Sequence, residues 1–142
     1  MDPFAFRLQK VLDYKNILED RKEQEFVKSR ADYIDEKDKL DHMHQQMQTF
    51  IRGNHFFTDA FHYKTMYNYM GNMIEMIDKQ QEVTEAAAEV MEGKKSEYID
   101  SRRDRRVIDK LKENALVDFK KSSADAEQKQ NDELALYGYT RR

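Results

Sequence analysis

The side chains best suited to metal binding or acid–base chemistry are the four histidines. His42 and His44 are two residues apart, so on a helix they point to different faces and cannot readily hold one metal ion. No Glu-x-x-His pair of the kind found in di-iron bundles accompanies His55 or His62. The absence of cysteine excludes thiolate ligands and disulfides. We therefore expect solvated histidines and no metal or other cofactor.

Motifs for nucleotide binding and for covalent catalysis are also missing. The sequence has no Walker-type glycine loop, no nucleophile elbow and no pair of carboxylates placed for a catalytic cleft. We therefore expect the chain not to be an enzyme and not to bind or hydrolyse nucleotide itself.

The densest cationic segment is residues 102–106, with sequence RRDRR. It suits contact with phosphate or with an acidic protein surface, and it equally suits a solvated helix face. Asp100, Asp104 and Asp109 weaken its field. Over the whole chain 28 acidic and 25 basic residues are interleaved and leave a net charge of -3. This balance argues against a nucleic-acid partner.

Composition indicates long helices rather than a globular core. Of 142 residues, 37% are charged, one is proline and four are glycine. Globular domains use more apolar residues and more turns, whereas a long helix needs to bury only one apolar stripe. We expect a single coiled-coil domain over residues 1–142.

A seven-residue repeat in the second half of the chain predicts the stripe. Its residues are Tyr63, Met70, Ile77, Thr84, Met91 and Tyr98, with Met66, Met73, Gln80 and Ala87 offset by three. This spacing is typical of a coiled coil, in which two helices bury a narrow seam. Such a seam leaves no interior for an ordinary catalytic pocket.

The first half carries a similar stripe that begins at an Asp2–Pro3 helix start. Its residues are Phe4, Leu8, Val11, Leu18, Phe26, Tyr33, Leu40 and Met47, with Met43 and Phe50 at complementary positions. The step from Leu18 to Phe26 is eight residues, which we interpret as a local change in supercoil.

A turn over about residues 52–59 separates the helices. Gly53-Asn54 suits a left-handed cap on a first helix of about residues 3–51. Thr58 or Asp59 can cap a second helix of about 60–137 that stops at Gly138. Gly71 and Gly93 inside this helix are either kinks, points of close approach by a partner, or tolerated surface glycines.

A short turn makes the two helices antiparallel and of unequal length. Pairing outward from the turn places Phe4 near residues 105–108, so the second helix should overhang by about 45 Å. The overhang would expose a set of apolar residues: Ile108, Leu111, Leu116, Phe119, Leu134 and Leu136. We expect it either to self-associate or to bind a partner.

Aromatic and methionine residues cluster around the turn, more densely than one seam needs. They are Phe50, Phe56, Phe57, Phe61, Tyr63, Tyr67, Tyr69, Met70, Met73 and Met76. Tyr69 and Met76 lie off the repeat and should face outward. The cluster is either an adaptable protein-binding surface or a cap on the end of the paired helices.

No segment reaches the roughly 20 apolar residues that span a bilayer, and the opening Met1-Asp2-Pro3 does not resemble a signal peptide. We therefore expect a cytosolic protein with no membrane insertion, able to dock on a membrane-bound partner.

Three segments resemble the FliJ family of flagellar export proteins. They are FAFRLQKVLDYK at residues 4–15, Tyr67-Asn68-Tyr69-Met70 followed by Met73, Ile77 and Gln80, and the tail segments DRRVIDKLKE at 104–113 and EQKQNDE at 127–133. They occur in the family's order and with its spacing, over nearly the whole chain.

This resemblance implies a fold and a role. The family forms an antiparallel two-helix coiled coil, similar in shape to the central stalk of rotary ATP synthases. It would work in the flagellar type III export apparatus, at the cytoplasmic face of the cell membrane beside the basal body, in the assembly of flagella for motility and chemotaxis. There it binds the hexameric export ATPase and promotes its assembly, contacts the cytoplasmic domain of the export gate, and escorts export chaperones.

The resemblance also implies sites. The positions that match the gate-contacting surface are Met43, Phe50, Tyr69, Met73, Met76 and Gln80. For the ATPase, geometry and charge favour the end away from the turn: Arg7, Lys10, Arg103, Arg105, Arg106, Ile108, Lys110, Leu111, Lys112 and Phe119. Two alternatives remain open, namely a self-associating structural coiled coil and the equivalent stalk of a virulence secretion system.

Overall fold

The protein consists of two long helices. A computed structural model describes residues 3–53 and 59–141. Helix α1 spans Gln9–Arg52 and helix α2 spans Ala60–Thr140, and no strand occurs in the described ranges. The predicted all-helical hairpin class is confirmed.

The helix boundaries differ from the sequence-based ones at both outer ends. Helix α1 begins at Gln9 rather than at Pro3, and residues 3–6 are not helical. Helix α2 runs through Gly138 to Thr140, because one glycine costs a helix only about 1 kcal/mol and no second signal terminates it. The predictions for Asp2, Asn54 and Thr58, and those for His55, Phe56 and Phe57, concern residues outside the described ranges.

Asp59 is the observed N-cap of α2. Its carboxylate Oδ1 accepts a hydrogen bond from the backbone N–H of His62 at 2.8 Å, which satisfies one free donor of the first turn. At the other helix end, the N–H of Gly53 bonds the carbonyl of Thr49 at 3.1 Å. The left-handed conformation expected at Gly53 is wrong, since no described glycine has a positive φ.

Burial follows an unbroken seven-residue register along each helix. In α1 the less exposed positions are Leu12, Glu19, Phe26, Tyr33, Leu40 and Met47, with Lys15, Lys22, Ser29, Glu36, Met43 and Phe50 between them. In α2 they are Met70, Ile77, Thr84, Met91, Tyr98, Arg105, Lys112 and Phe119, with Met66, Met73, Gln80, Ala87, Lys94, Ser101, Ile108 and Ala115. The 3–4 spacing is that of a coiled-coil seam.

Two sequence-based seam positions are corrected by this register. Leu12 is 4% exposed and Val11 is 40% exposed, so Leu12 and Glu19 hold the seam and no step of eight residues exists. Tyr63 is 58% exposed and lies outside the buried set. The seam of α2 therefore begins at Met66.

Residues 21–99 form one packing unit, called the inner unit here. Within this unit, the first residues of the α1 segment contact the last residues of the α2 segment. Lys22 Nζ lies 3.0 Å from Glu97, and Lys94 Nζ lies 3.3 Å from Glu25. The rings of Phe26 and Tyr98 stack with centroids 6.2 Å apart.

The inner unit's seam has two chemically different parts. Leu40, Met47, Met70 and Ile77 belong to an apolar part. A second part is largely polar or small: Lys22, Glu25, Ser29, Glu36, Gln80, Thr84, Ala87 and Lys94, with the exposed Glu97 at its edge and with Phe26, Tyr33, Met91 and Tyr98 among them. Polar seam residues fix the register and orientation of the two helices at a cost in stability. This part therefore determines which residues pair, and it contributes less than the apolar part to the free energy of pairing.

Residues 1–20 and 100–142 form the second packing unit, called the outer unit here. Lys15 Nζ lies 3.5 Å from Asp104, Arg105 pairs with Glu19, and the ring centroids of Phe4 and Phe119 are 5.4 Å apart. Described residues from Ala124 to Arg141 are all exposed. We call residues 124–141 the α2 tail; at 1.5 Å per residue it is about 27 Å long.

The predicted overhang is therefore wrong in its starting point. Phe4 meets Phe119 instead of residues 105–108. In the inner unit, Phe50 pairs with Tyr69, and the described residues of α2 before Met66 are exposed. In the outer unit, Ile108, Leu116 and Phe119 are half-buried, and of the expected overhang residues only Leu134 and Leu136 lie in the exposed tail.

Candidate protein-binding surfaces

An exposed row of large side chains on α2 begins at the aromatic cluster of the inner unit. Tyr69 is 51% exposed and Met76 is 56% exposed, as predicted from their position off the repeat. The Phe50 ring tilts against that of Tyr69 with centroids 4.8 Å apart, which fixes the orientation of Tyr69. Large side chains held partly exposed in this way suit protein contact.

The row continues along α2 beyond Tyr69 and Met76, the two residues predicted to face outward. Val83 and Val90 follow Tyr69 and Met76 at intervals of seven residues and are likewise exposed. The seven-residue spacing continued from Met76 predicts both positions, but a single exposed valine does not by itself indicate a binding surface. We call Tyr69, Met76, Val83 and Val90 the outward row.

A shallow open groove adjoins the start of the outward row. It is lined by His42, Gln45, Gln46, Thr49, Phe50 and Tyr69. This lining combines amide and hydroxyl groups with two aromatic rings, which suits a peptide or helix with mixed polarity.

The remaining residues expected at the export gate lie in the seam. Met43 and Met73 are half-buried. Gln80 donates from Nε2 to the carboxylate of Glu36 at 2.6 Å and to the backbone carbonyl of Glu36 at 3.0 Å. Its amide is thereby committed to pairing within the inner unit. The gate role suggested for these three residues requires contact through their exposed fractions only.

Two of the four arginines in the basic cluster of the outer unit are paired with neighbouring carboxylates. Arg105 is half-buried, with Nε donating to Glu19 and a terminal nitrogen donating to Asp109. The hydrogen bond that Arg105 donates to Glu19 is the main cause that raises the pKa of Arg105. Arg103 lies 3.9 Å from Asp100. Arg105 is therefore a seam residue first, and little of its charge is available to a partner.

Other cations expected at the ATPase differ in availability. Lys110 Nζ lies 2.8 Å from Glu113, and this hydrogen bond raises the pKa of Lys110. Lys112 is half-buried at a seam position. Arg7, Lys10 and Arg106 are exposed and make no ion pair with any described residue.

The apolar residues expected at the ATPase divide in the same way. Ile108 and Phe119 are half-buried at seam positions, and Phe119 contacts Phe4. Leu111 is 46% exposed. A serine at Ile108 or Phe119 would therefore weaken helix pairing as well as any external contact.

Four highly exposed apolar residues of the outer unit are in the α2 tail. They are Leu134, Leu136, Tyr137 and Tyr139. Leu136 and Tyr137 line an open surface with Glu133 and Thr140, residues that lie on one face of α2. Leu134 and Leu136 were among the predicted overhang residues, whereas Tyr137 and Tyr139 were not, because they lie at and beyond the predicted helix end near residue 137.

Metal-binding and membrane-spanning features are absent from the described part of the chain. Residues 3–53 and 59–141 contain no group of three or more His, Asp or Glu side chains placed to hold a metal ion. Within the same ranges no helix is long and apolar enough to cross a membrane. His42 and His44 are exposed, and His62 Nδ1 lies 3.7 Å from Asp59.

Comparison with known proteins places the chain in a family. No curated protein and no solved structure matches it. Residues 4–142 match the family model described as flagellar FliJ protein, which covers both helices. The chain therefore belongs to the flagellar FliJ family, a family of structural or adaptor proteins associated with flagellar export.

Proposed function

We propose that this chain is a non-enzymatic stalk and adaptor of the flagellar type III export apparatus. In this role it binds the hexameric export ATPase and the cytoplasmic domain of the membrane export gate, and it escorts export chaperones. It works in the cytoplasm at the inner face of the cell membrane. The observation that carries the proposal is the family match over residues 4–142.

The outer unit supplies the proposed ATPase contact. The α2 tail offers four exposed large apolar side chains on a single helix, and such a surface is seldom left in water without a partner. The exposed cations Arg7, Lys10 and Arg106 of the outer unit add electrostatic attraction to an acidic partner. Arg103, Lys110, Lys112, Leu111 and the half-buried Arg105, Ile108 and Phe119 contribute as flanking or supporting residues.

The inner unit supplies the proposed gate contact. Tyr69 and Met76 of the outward row carry it, oriented by Phe50, while Met43, Met73 and Gln80 support these residues from the seam. The adjacent groove with His42 and Gln46 extends this surface. Methionine and tyrosine adapt to a partner at low conformational cost, as protein-binding surfaces require.

Asymmetry is the proposed mechanism of ATPase stimulation. One stalk within a six-fold ring contacts the six subunits unequally, because a single helical protein has no six-fold symmetry. Unequal contacts stabilise different conformations in different subunits.

The direct test is the ATP hydrolysis rate of the cognate flagellar export ATPase with increasing amounts of this protein. We expect the rate to rise and to saturate at about one chain per six subunits. No change in rate, with the protein shown to be folded and helical, would contradict the stalk role.

Self-association through the α2 tail is the second candidate function. Its exposed apolar residues would equally suit a second copy. Sedimentation equilibrium separates the two: a stable dimer at low micromolar concentration supports self-association, and a monomer supports an external partner. The flagellar family match favours the flagellar system over its virulence counterpart.

A further inference from the structure

Residues 3–8, which we call the N-terminal arm, are the part of the outer unit not paired as a helix. Their burial alternates: Phe4, Phe6 and Leu8 are half-buried, and Pro3, Ala5 and Arg7 are exposed. Period-two alternation suits the extended residues 3–6, and a turn over residues 6–9 then leads into α1. The arm therefore presents its three largest apolar side chains to the outer unit and Pro3, Ala5 and Arg7 to water.

The arm lies against α2 next to the exposed tail. The rings of Phe4 and Phe119 are 5.4 Å apart and tilted by 56°, a favourable arrangement for two aromatic rings. Helix α1 begins only at Gln9, so the arm is what contacts α2 at Phe119.

The reach of the arm matches the end of burial on α2. The four residues before the turn, 3–6, span up to about 14 Å when extended, and helix residues 115–123 span about 13 Å. Ala115, Leu116, Phe119 and Ser123 are half-buried, and all described residues beyond Ser123 are exposed.

Side chains alone hold the arm in place. Its backbone hydrogen bonds among the described residues are local: Gln9 N–H bonds the carbonyl of Phe6 at 3.1 Å, and Leu12 N–H bonds that of Leu8 at 2.9 Å. No described residue forms an ion pair with Arg7. A segment with few contacts and no ladder of hydrogen bonds opens at low free-energy cost.

We propose that the N-terminal arm is a releasable strap that covers the apolar surface of α2 around Leu116 and Phe119, and that its release exposes this surface to the export ATPase. The inference rests on the proposed ATPase contact of the outer unit. The covered surface is continuous with the exposed α2 tail, so a partner that docks on the tail gains area by displacing the arm. The strap keeps this area covered in the free protein.

Locking the arm is the first test. The chain has no cysteine, so a Phe4→Cys/Phe119→Cys variant can be joined specifically by a short bis-maleimide. We expect the joined protein to bind the ATPase at least about tenfold more weakly than the same variant capped with a mono-maleimide. Equal affinity of the joined and capped proteins would overturn the strap.

Releasing the arm is the second test. A Phe4→Ala/Phe6→Ala variant should bind the ATPase up to about tenfold more tightly, because no docked arm must be displaced. Amide hydrogen exchange at residues 115–123 of the free protein should become faster. Ala5→Ser, on the exposed edge, is the matched control and should change neither quantity. Weaker binding by the released variant would make the arm part of the contact and overturn the strap.

The outcomes separate this inference from the proposed function. If the ATPase binds every form with one affinity, the strap is wrong and the ATPase contact stands. If the ATPase binds no form, including the released variant, the proposed ATPase contact is wrong, and the strap proposal, which rests on that contact, is wrong as well.

Discussion

Gln80 and Glu36 form the best-defined polar contact of the inner unit. The hydrogen bond from Gln80 Nε2 is the largest cause that lowers the pKa of Glu36, followed by that from Lys39. A carboxyl whose pKa is lower in the folded state stabilises the fold above its unfolded pKa. That contribution disappears as the pH falls through the folded pKa.

Replacement of Gln80 by leucine should therefore raise the pKa of Glu36 toward its ordinary value and flatten the acid side of the stability curve. Carboxyl NMR titration of Glu36 measures the first effect, and thermal unfolding between pH 3 and pH 7 measures the second. Gln81→Leu is the matched control, since Gln81 is exposed and bonds only Glu85. Identical Glu36 titrations in Gln80→Leu and the parent would show that the contact is absent in solution.

Lys22, Glu25, Lys94 and Glu97 form a closed four-charge cluster in the same seam. The hydrogen bond from Lys94 lowers the pKa of Glu25, that from Lys22 lowers the pKa of Glu97, and Glu97 raises the pKa of Lys22. The carboxylates stabilise the fold above their unfolded pKa values, near 4.5, and the lysine does so below its own, near 10.5. The cluster should therefore stabilise the inner unit most between these limits.

A Lys94→Met variant tests this window. We expect its melting temperature to be lower than the parent's at pH 7 and the two to converge as the pH falls below 4, because the protonated carboxyls no longer need the lysine. The matched control is Lys79→Met, which removes an exposed pair with Glu75 and should change little. A difference between Lys94→Met and the parent that is the same at pH 3 and pH 7 would contradict the electrostatic explanation.

At the scale of the helix, register was predictable where the seam is apolar and was missed where it is charged. The repeat from Met70 to Tyr98 is visible in the sequence because most of its members are large and apolar. In α1 the predicted stripe included the exposed Val11 and omitted Glu19, which is half-buried beside the predicted Leu18. Glu19 occupies the seam because Arg105 of α2 neutralises it, a partner that the pattern of one helix alone cannot reveal.

Neighbouring residues of α1 provide a direct test of the register. Leu12→Ala should lower the free energy of unfolding by about 2–3 kcal/mol, because it removes a nearly fully buried side chain. Val11→Ala should cost less than about 1 kcal/mol, because Val11 is already substantially exposed. Urea unfolding followed by circular dichroism measures both. If Val11→Ala lowered the free energy of unfolding more than Leu12→Ala, the result would support the register that includes a step of eight residues.

The candidate surfaces were predictable to a similar degree. Tyr69 and Met76 follow from spacing alone, because a large side chain off the repeat must face outward. Gln80 was assigned to a surface by resemblance, but its amide bonds Glu36 across the seam. The pairing of Phe50 with Tyr69 was not predictable from the length of the turn. The sequence alone therefore could not predict which α2 residues remain unpaired.

For the molecule as a whole, the proposal assigns two activities to two separate surfaces. A chain that ends at Ser123 lacks the α2 tail but keeps the contacts between α1 and α2 described above, since the described tail residues are all exposed. We expect its urea midpoint to match the parent's, its stimulation of the export ATPase to be lost, and its binding to the gate to remain. ATP hydrolysis and a gate pull-down measure the two activities on the same preparation.

The complementary variant is Tyr69→Ala/Met76→Ala, which should weaken gate binding and leave ATPase stimulation intact. Ile74→Ala is its control, because Ile74 is comparably exposed but lies off the outward row. The division predicts opposite outcomes for the truncated chain and the double variant, since each lacks only one surface. Loss of both activities in either protein, with the helical content preserved, would mean that the two partners share one surface and would refute the division.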